Sequence, residues 1–501
     1  MSTGPRDAAA VILLRHNADP LNPELYWVRR SERLAFLGGY YAFAGGQLED
    51  ADSEAPVENC ASPRDVAAIS AAARELFEEL GVLVARGADS LTKGQLASLL
   101  DDLESQRMTW PVLLRHYGLC LDANDFAYAG RWVTPPFSAR RFDTLFFLVR
   151  CPAKQQPRVV QGELETGAWI TAREAYSRWQ RSEILAVPPT LHALKTLAAG
   201  LTPDLMERLI AIPEAHGEPT RRIEFRPNYI CFPVRTPTKP PATHTNCYLI
   251  YSSRELLVID PGSPYVDEQA ALAQVVDQLM AEGRSLREIV LTHLHPDHVG
   301  GVNALREHLG GSSPVAGHVL TAEALRPAIR VDRPIEDNEV IELSGEPRIA
   351  LRALHTPGHA RGHLCFYEEL TGTLISGDNI VGLGSVLIDP PEGNMRDYLD
   401  SLKRMRSLGN LSVIFGAHGP AVSAPYNKID EYISHRFERE ANILAEVRKG
   451  ATGPKEIVAT VYSDVSPKVY ELAERSVLAH IEKLAADGLV ETDSEGRFIS
   501  V

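Results

Sequence analysis

The stretch Thr292-His293-Leu294-His295-Pro296-Asp297-His298 decides how this chain is read. Just ahead of it, Glu288 leads into the apolar run Ile289-Val290-Leu291, which reads as a buried strand. Just behind it, Val299-Gly300-Gly301 opens a segment of helix formers. Three imidazoles and a carboxylate therefore crowd one strand-to-helix turn. His293 and His295, two apart in extended backbone, point to one side, and Asp297 and His298 continue the cluster around the turn. Imidazole nitrogens with a few carboxylate oxygens suit zinc, and to a lesser degree iron or manganese.

One turn offers too few ligands for two ions, and later turns supply more. His359 stands in Thr356-Pro357-Gly358-His359, Asp378 in Ser376-Gly377-Asp378, and His418 in Gly416-Ala417-His418-Gly419-Pro420. Each follows a strand-like apolar run, over residues 349–354, 372–375 and 411–415. Upstream, Leu256-Leu257-Val258-Ile259 ends at Asp260-Pro261-Gly262. Position for position, these residues resemble the metal motifs of the metallo-β-lactamase superfamily. The resemblance implies an αββα sandwich with its site along one edge and two zinc ions (or iron or manganese). It puts His293, His295 and His359 on one metal, Asp297, His298 and His418 on the other, and Asp378 between them. Asp297 counts as catalytic as well, and Asp260 would orient the histidine loop. The implied chemistry is attack on a carbonyl or phosphoryl group by a water that the metals acidify. His355 and His363 flank His359 and would shape the pocket, whereas His308 and His318 read as surface or packing residues.

At 501 residues the length suggests about three domains. A hydrophobic content of 44% and a charged content of 23% are ordinary for a soluble protein. The apolar run at residues 8–14 is too short to span a bilayer, and Asp7 before it makes a poor signal peptide, so no membrane association is expected. Six scattered cysteines without paired spacing point to reduced thiols and a cytoplasmic location. The formal net charge of −15 argues against a general affinity for phosphate backbones.

The N-terminal part carries a second acidic constellation. Residues 8–14 and 25–28 read as strands, and Tyr41-Ala42-Phe43-Ala44 leads into Gly45-Gly46. Residues 67–80 read as a helix stopped by Gly81. Within it Glu75, Glu78 and Glu79 fall on one face, a crowding of like charge that a hard cation such as Mg²⁺ or Mn²⁺ relieves. This pattern, with Gly46 and Arg74, resembles an interrupted Nudix box of the coenzyme A diphosphatase branch. Arg30-Ser31, Gly39, Phe43 and Gly45-Gly46 echo that branch, as do Trp132 to Pro136 and Arg141 to Thr144. The resemblance gives Glu75, Glu78 and Glu79 both catalytic and metal-binding roles, with Arg74 in support. Asp52 falls where a glutamate is usual, Ala44 where proline is, and Ala35 where arginine is. The last change removes a phosphate fork and with it part of the case for coenzyme A. Glu163 or Glu165 would supply a further ligand or base.

Residues 190–210 read as helix, followed by a polar turn with Pro213, Gly217 and Pro219. The expected division is therefore a Nudix-like domain over 1–200, a linker over 201–222, a lactamase-like domain over 223–425 and a helical, winged-helix domain over 426–501. In the last, helices at 455–462 and 476–486 precede a hairpin around Asp493-Ser494-Glu495-Gly496. Its second helix offers His480 and Lys483 but little other cation. With Tyr432 to Arg436 and Arg439-Glu440, this tail resembles the beta-lactamase-like proteins with a C-terminal winged helix, a family that includes RNA-cutting and thioester-hydrolysing members. The fold class expected is multidomain α/β: a Nudix αβα sandwich, a metallo-β-lactamase αββα sandwich and a winged helix. The substrate expected is a small ester or thioester, with a nucleoside diphosphate or coenzyme A derivative for the Nudix half. The alternative is a single-strand endoribonuclease with a silent, nucleotide-binding Nudix half.

Overall fold

The computed structural model describes residues 4–15, 19–34, 37–60, 62–135, 137–138, 140–160, 162–212, 221–463 and 466–501. Ala35 and most of the polar turn after Ile212 lie outside them. Contacts divide the chain into two units, Met1–Pro227 and Asn228–Val501.

The first unit is built on a mixed sheet. Strand Arg6–Leu14 runs parallel to Phe142–Arg150 and antiparallel to both Glu24–Arg30 and Ala44–Gln47. Both faces of Arg6–Leu14 are covered, which is why Ala8 to Leu14 forms an unbroken apolar run rather than an alternating one. Helix Pro63–Leu80 packs on one face through Ala68, Ala72, Leu76 and Phe77. It starts under a Ser62 cap and stops at Gly81, whose φ of 66° closes the last turn. The stretch expected to be one helix over 190–210 is two, Pro188–Ala198 and Leu205–Ile210, separated around Gly200 and Pro203. Leu205 and Leu209 bury themselves in the core of this unit.

The second unit is a sandwich of two sheets. Its first sheet runs Tyr229–Arg235, His244–Tyr251, Glu255–Ile259, Ser285–Val290, Val315–Gly317 and Arg333–Pro334, parallel from Glu255–Ile259 onward. The second runs Val340–Leu343, Ile349–His355, Leu364–Glu368, Thr373–Gly377 and Val413–Gly416. Helix Val266–Ala281 covers the first sheet through Leu272, Val276 and Leu279, and helix Met395–Arg406 covers the second through Tyr398, Leu399 and Leu402. Helix Pro425–Arg448 then leads into a winged helix: Pro454–Val461, Tyr470–Ala486 and the hairpin Val490–Thr492 with Phe498–Ser500. All six cysteines are free. Among the described residues no helix is long and apolar enough to cross a membrane.

Candidate metal centre

Asp260, His293, His359, Asp378 and His418 all lie in the turns that leave the carboxyl ends of strands in the two sheets. Parallel neighbours bring such turns to one edge. Tight approach of the backbone completes the arrangement: a Cβ at Gly262 would sit 1.9 Å from the Asp297 carbonyl oxygen, so only glycine lets the two loops meet.

Two sets of ligand atoms converge there, His293, His295, His359 and Asp378 in one and Asp297, His298 and His418 in the other, each set within 4.8 Å. The sets share an edge at Asp378. Its Oδ1 lies 3.4 Å from His298 Nε2 and 3.3 Å from His418 Nε2, and its Oδ2 lies 3.5 Å from His359 Nε2.

The hydrogen bonds around the imidazoles fix their tautomers. His298 Nδ1–H donates to Asp260 Oδ2 at 2.8 Å, His359 Nδ1–H to the Leu387 carbonyl at 2.8 Å, and His418 Nδ1–H to the His244 carbonyl at 2.9 Å. Thr292 donates its hydroxyl to Asp260 at 2.6 Å and so accepts from His293 Nδ1 at 3.0 Å. In each case the Nε2 turned toward the cluster is left as the coordinating atom. His295 differs, presenting Nδ1, which lies 2.9 Å from both His293 Nε2 and His359 Nε2. Asp260 also accepts the Thr292 amide at 2.8 Å, and it holds a φ of 52°, a left-handed backbone rare outside glycine and asparagine.

Electrostatics favour a cation in this space. Burial and the neighbouring rings push His293 far below its ordinary value and His295 down to about 3, so both keep lone pairs to donate. Burial opposes charge on His298 too, but Asp378, Asp260 and Asp297 outweigh it and raise its pKa well above the usual range. His298 Nε2 and Asp378 Oδ1 are both buried without a hydrogen-bond partner. Orphaned donor atoms of this kind, aimed at a common space, fit metal ions.

Three residues that the motifs do not single out also belong to the site. His363, fully buried, accepts the Asp378 amide on Nε2 at 3.2 Å and braces that carboxylate's loop. Thr238 places its hydroxyl 3.4 Å from His418 Nε2, and Leu387 orients His359 through a main-chain atom. A hydroxyl across the sandwich or a carbonyl carries no sequence signal. His363 was visible as a flanking histidine. His318 and His355 stack at 4.1 Å.

In the first unit, the acidic helix face is organised around Arg74. Its guanidinium donates to Glu75 and Glu78, at 2.9 Å each, and to buried Asp52 and the Gln47 carbonyl. Glu79 instead accepts the Gly45 amide at 2.9 Å. Burial raises Glu75 to about 7 and Glu79 to about 8. Gly46 lies against the Glu75 carboxylate, and a Cβ there would come within 2.4 Å of Glu75 Oε1 and displace that side chain. Glu165 pairs with Arg29 at 2.6 Å and Glu163 with Arg30 at 3.3 Å. The three helix glutamates share one face without converging on one point as the histidine sets do.

Known families match separate parts of the chain. The description Metallo-beta-lactamase superfamily matches residues 240–418, NUDT19 Nudix domain matches 53–197, and Beta-lactamase associated winged helix domain matches 454–497. A Beta-lactamase-like protein 2 homolog of Caenorhabditis elegans is 28% identical over 49% of this chain and 80% of its own length. An atrochrysone carboxyl ACP thioesterase of Aspergillus chevalieri is 31% identical over 50% of this chain and 79% of its own. In solved structures, a beta-lactamase domain protein from Burkholderia ambifaria shares the fold, with a TM-score of 0.50 at 20% identity over 58% of this chain and 96% of its own. The chain belongs to the metallo-beta-lactamase superfamily, a hydrolase whose lactamase fold is preceded by a Nudix domain and followed by a winged helix.

Proposed function

We propose that the lactamase-fold half hydrolyses a small acyl thioester or ester, and that the Nudix half cleaves a nucleotide or coenzyme A type diphosphate. His293, His295 and His359 would hold one metal ion, Asp297, His298 and His418 the other, and Asp378 both; zinc suits the donor set, with iron or manganese next. Metal bound there supplies Lewis acidity toward the carbonyl under attack and acidifies water. The chain's own part is orientation: Asp260, Thr292, Leu387 and His244 each take an Nδ1 proton, and His363 steadies Asp378. Asp297, 3.7 Å from His418 Nε2, adds carboxylate charge on the side of the second set. In the Nudix half Arg74 spaces Glu75 and Glu78 for Mg²⁺ or Mn²⁺.

The observation that carries the small-molecule reading is the state of the winged helix. Its second helix, the one that would read nucleic acid, has His480 fully buried and Lys483 tied to Glu440 and Asp487, at 2.8 Å each. His480 and Lys483, the cations that the sequence offers on this helix, are thus committed internally. The thioesterase among the relatives and the Nudix neighbour support the same reading. Assaying acyl-coenzyme A thioesters and single-stranded RNA side by side tests it; RNA cleavage without thioester turnover overturns it in favour of an endoribonuclease.

A further inference from the structure

We propose that the C-terminal helices set the position of His359, with Arg436 and Arg475 acting as positioning residues through residues 386–390. The inference rests on the metal reading above. Three attachments fall within those five residues. The Leu387 carbonyl accepts the Nδ1 proton of His359 at 2.8 Å. Next to it, the Val386 carbonyl accepts from Arg436 of helix Pro425–Arg448. Beyond it, Asp389 and the Pro390 carbonyl accept from Arg475 of helix Tyr470–Ala486.

The other acceptors that fix ligand tautomers, Asp260, Thr292 and the His244 carbonyl, belong to strands or strand-following turns of the sandwich. The acceptor for His359 sits on a segment whose side chains pack outward. Val386 and Ile388 are buried with Ile429 and Tyr432 of the long helix and Ala479 of the winged helix. Arg436 is itself buried, its guanidinium 5.3 Å from the centre of the Tyr398 ring, and the Tyr398 hydroxyl donates to the carbonyl of Asn379, next to Asp378. A buried guanidinium held by one carbonyl and one ring face cannot shift without losing both. Arg475 and Asp389 are each about 43% exposed on their side chains. A pair so exposed is weak, so its hold on the segment is worth a few-fold in metal affinity at most. The geometry of a ligand acceptor in turn governs metal affinity by about 10–100-fold.

The test measures Co²⁺ affinity by chelator competition, together with the visible ligand-field spectrum, on the full chain. Arg436→Met is expected to weaken the tighter Co²⁺ site about ten-fold and Arg475→Gln about three-fold, both altering its spectrum, with Arg436→Lys recovering part of the Arg436→Met loss. In a His359→Gln background, Arg475→Gln should have no further effect on affinity, because the residue it acts through is gone. Wild-type affinity and spectrum in Arg475→Gln overturn the clamp, as does a full additional loss in the His359→Gln background. Arg475 lies at the surface, so this variant reports even where Arg436→Met does not fold. Absence of Co²⁺ binding by wild type would instead remove the metal reading itself, a distinguishable outcome.

Discussion

His298 Nε2 and Asp378 Oδ1 face each other across 3.4 Å in a buried space, and neither has a hydrogen-bond partner. With Nδ1–H donated to Asp260, and with Asp378, Asp260 and Asp297 drawing positive charge onto the ring, the pair needs either a second proton on Nε2 or a cation between the two atoms. A metal ion meets that need while leaving Nε2 as a lone pair, as it does for the other imidazoles of the cluster. Transition metal should therefore copurify with the protein when no chelator is used. Asp378→Ala should lose at least one ion and most hydrolytic activity, and His295→Ala should lose metal from the first set. Elemental analysis that finds no zinc, iron or manganese in wild type would end the binuclear proposal.

Asp260 supports the same pair from behind, accepting from His298, the Thr292 hydroxyl and the Thr292 amide. Asp260→Asn keeps the shape but replaces one acceptor with a donor. Metal affinity should fall about 10–100-fold, measured by competition with a chromophoric chelator. Unchanged affinity would mean the histidine loop is held by packing alone.

The two hydrolase halves should be separable by mutation. Glu78→Gln removes one of the three carboxylates that share Arg74, leaving the second unit untouched. Mg²⁺- or Mn²⁺-dependent cleavage of nucleoside diphosphate derivatives should be lost while lactamase-fold activity persists. Should wild type turn over no diphosphate at all, the Nudix half is a silent module.

The histidine motif, its later partners and Asp260 were legible because each lies at a strand end, where few residue types fit and spacing is short. What the sequence could not carry was contact between distant segments. Thr238 reaches His418 across 180 positions, and the Leu387 carbonyl reaches His359 as a main-chain atom that any residue would offer. The helix expected over 190–210 broke because local periodicity outweighed Gly200 and Pro203 in the reading, while the fold uses both to turn. His480 was read only as one of the few cations on the second helix, with nothing local to mark it as buried. Its burial against Glu440 follows from packing on the long helix, which lies 40 residues away in sequence.

That burial has a consequence for pH. Burial lowers the pKa of His480 below its ordinary 6.5, despite Glu440 at 3.4 Å, with Arg436 and Lys483 also nearby. The folded domain thus keeps His480 neutral at a pH where the unfolded chain has already bound a proton. A group depressed on folding contributes stability above its unfolded pKa and loses it as pH falls from there toward the folded value. Hydrogen exchange protection of residues 470–486, corrected for intrinsic rates, should therefore drop between pH 7.5 and 5.5. His480→Leu should flatten the dependence; an unchanged profile in that variant would assign it to other groups.

The substrate preference is the most consequential expectation. A single-stranded RNA held through several phosphates loses affinity steeply with salt, with a log–log slope of about −0.7 per contact. This chain carries a formal charge of −15, and Lys483 is spent on Glu440 and Asp487. Little cation is left on the second helix of the winged helix to meet such a backbone. A thioester reacting at the metal centre makes few ionic contacts and should show only mild salt dependence between about 50 and 200 mM. Wild type should hydrolyse acyl-coenzyme A thioesters with a shallow salt profile, and His295→Ala should abolish that activity while the Nudix activity survives. If instead wild type cuts the RNA, His295→Ala does not, and no thioester is touched, the metal centre is that of a nuclease. The winged helix would then have to bind RNA through a face other than its second helix.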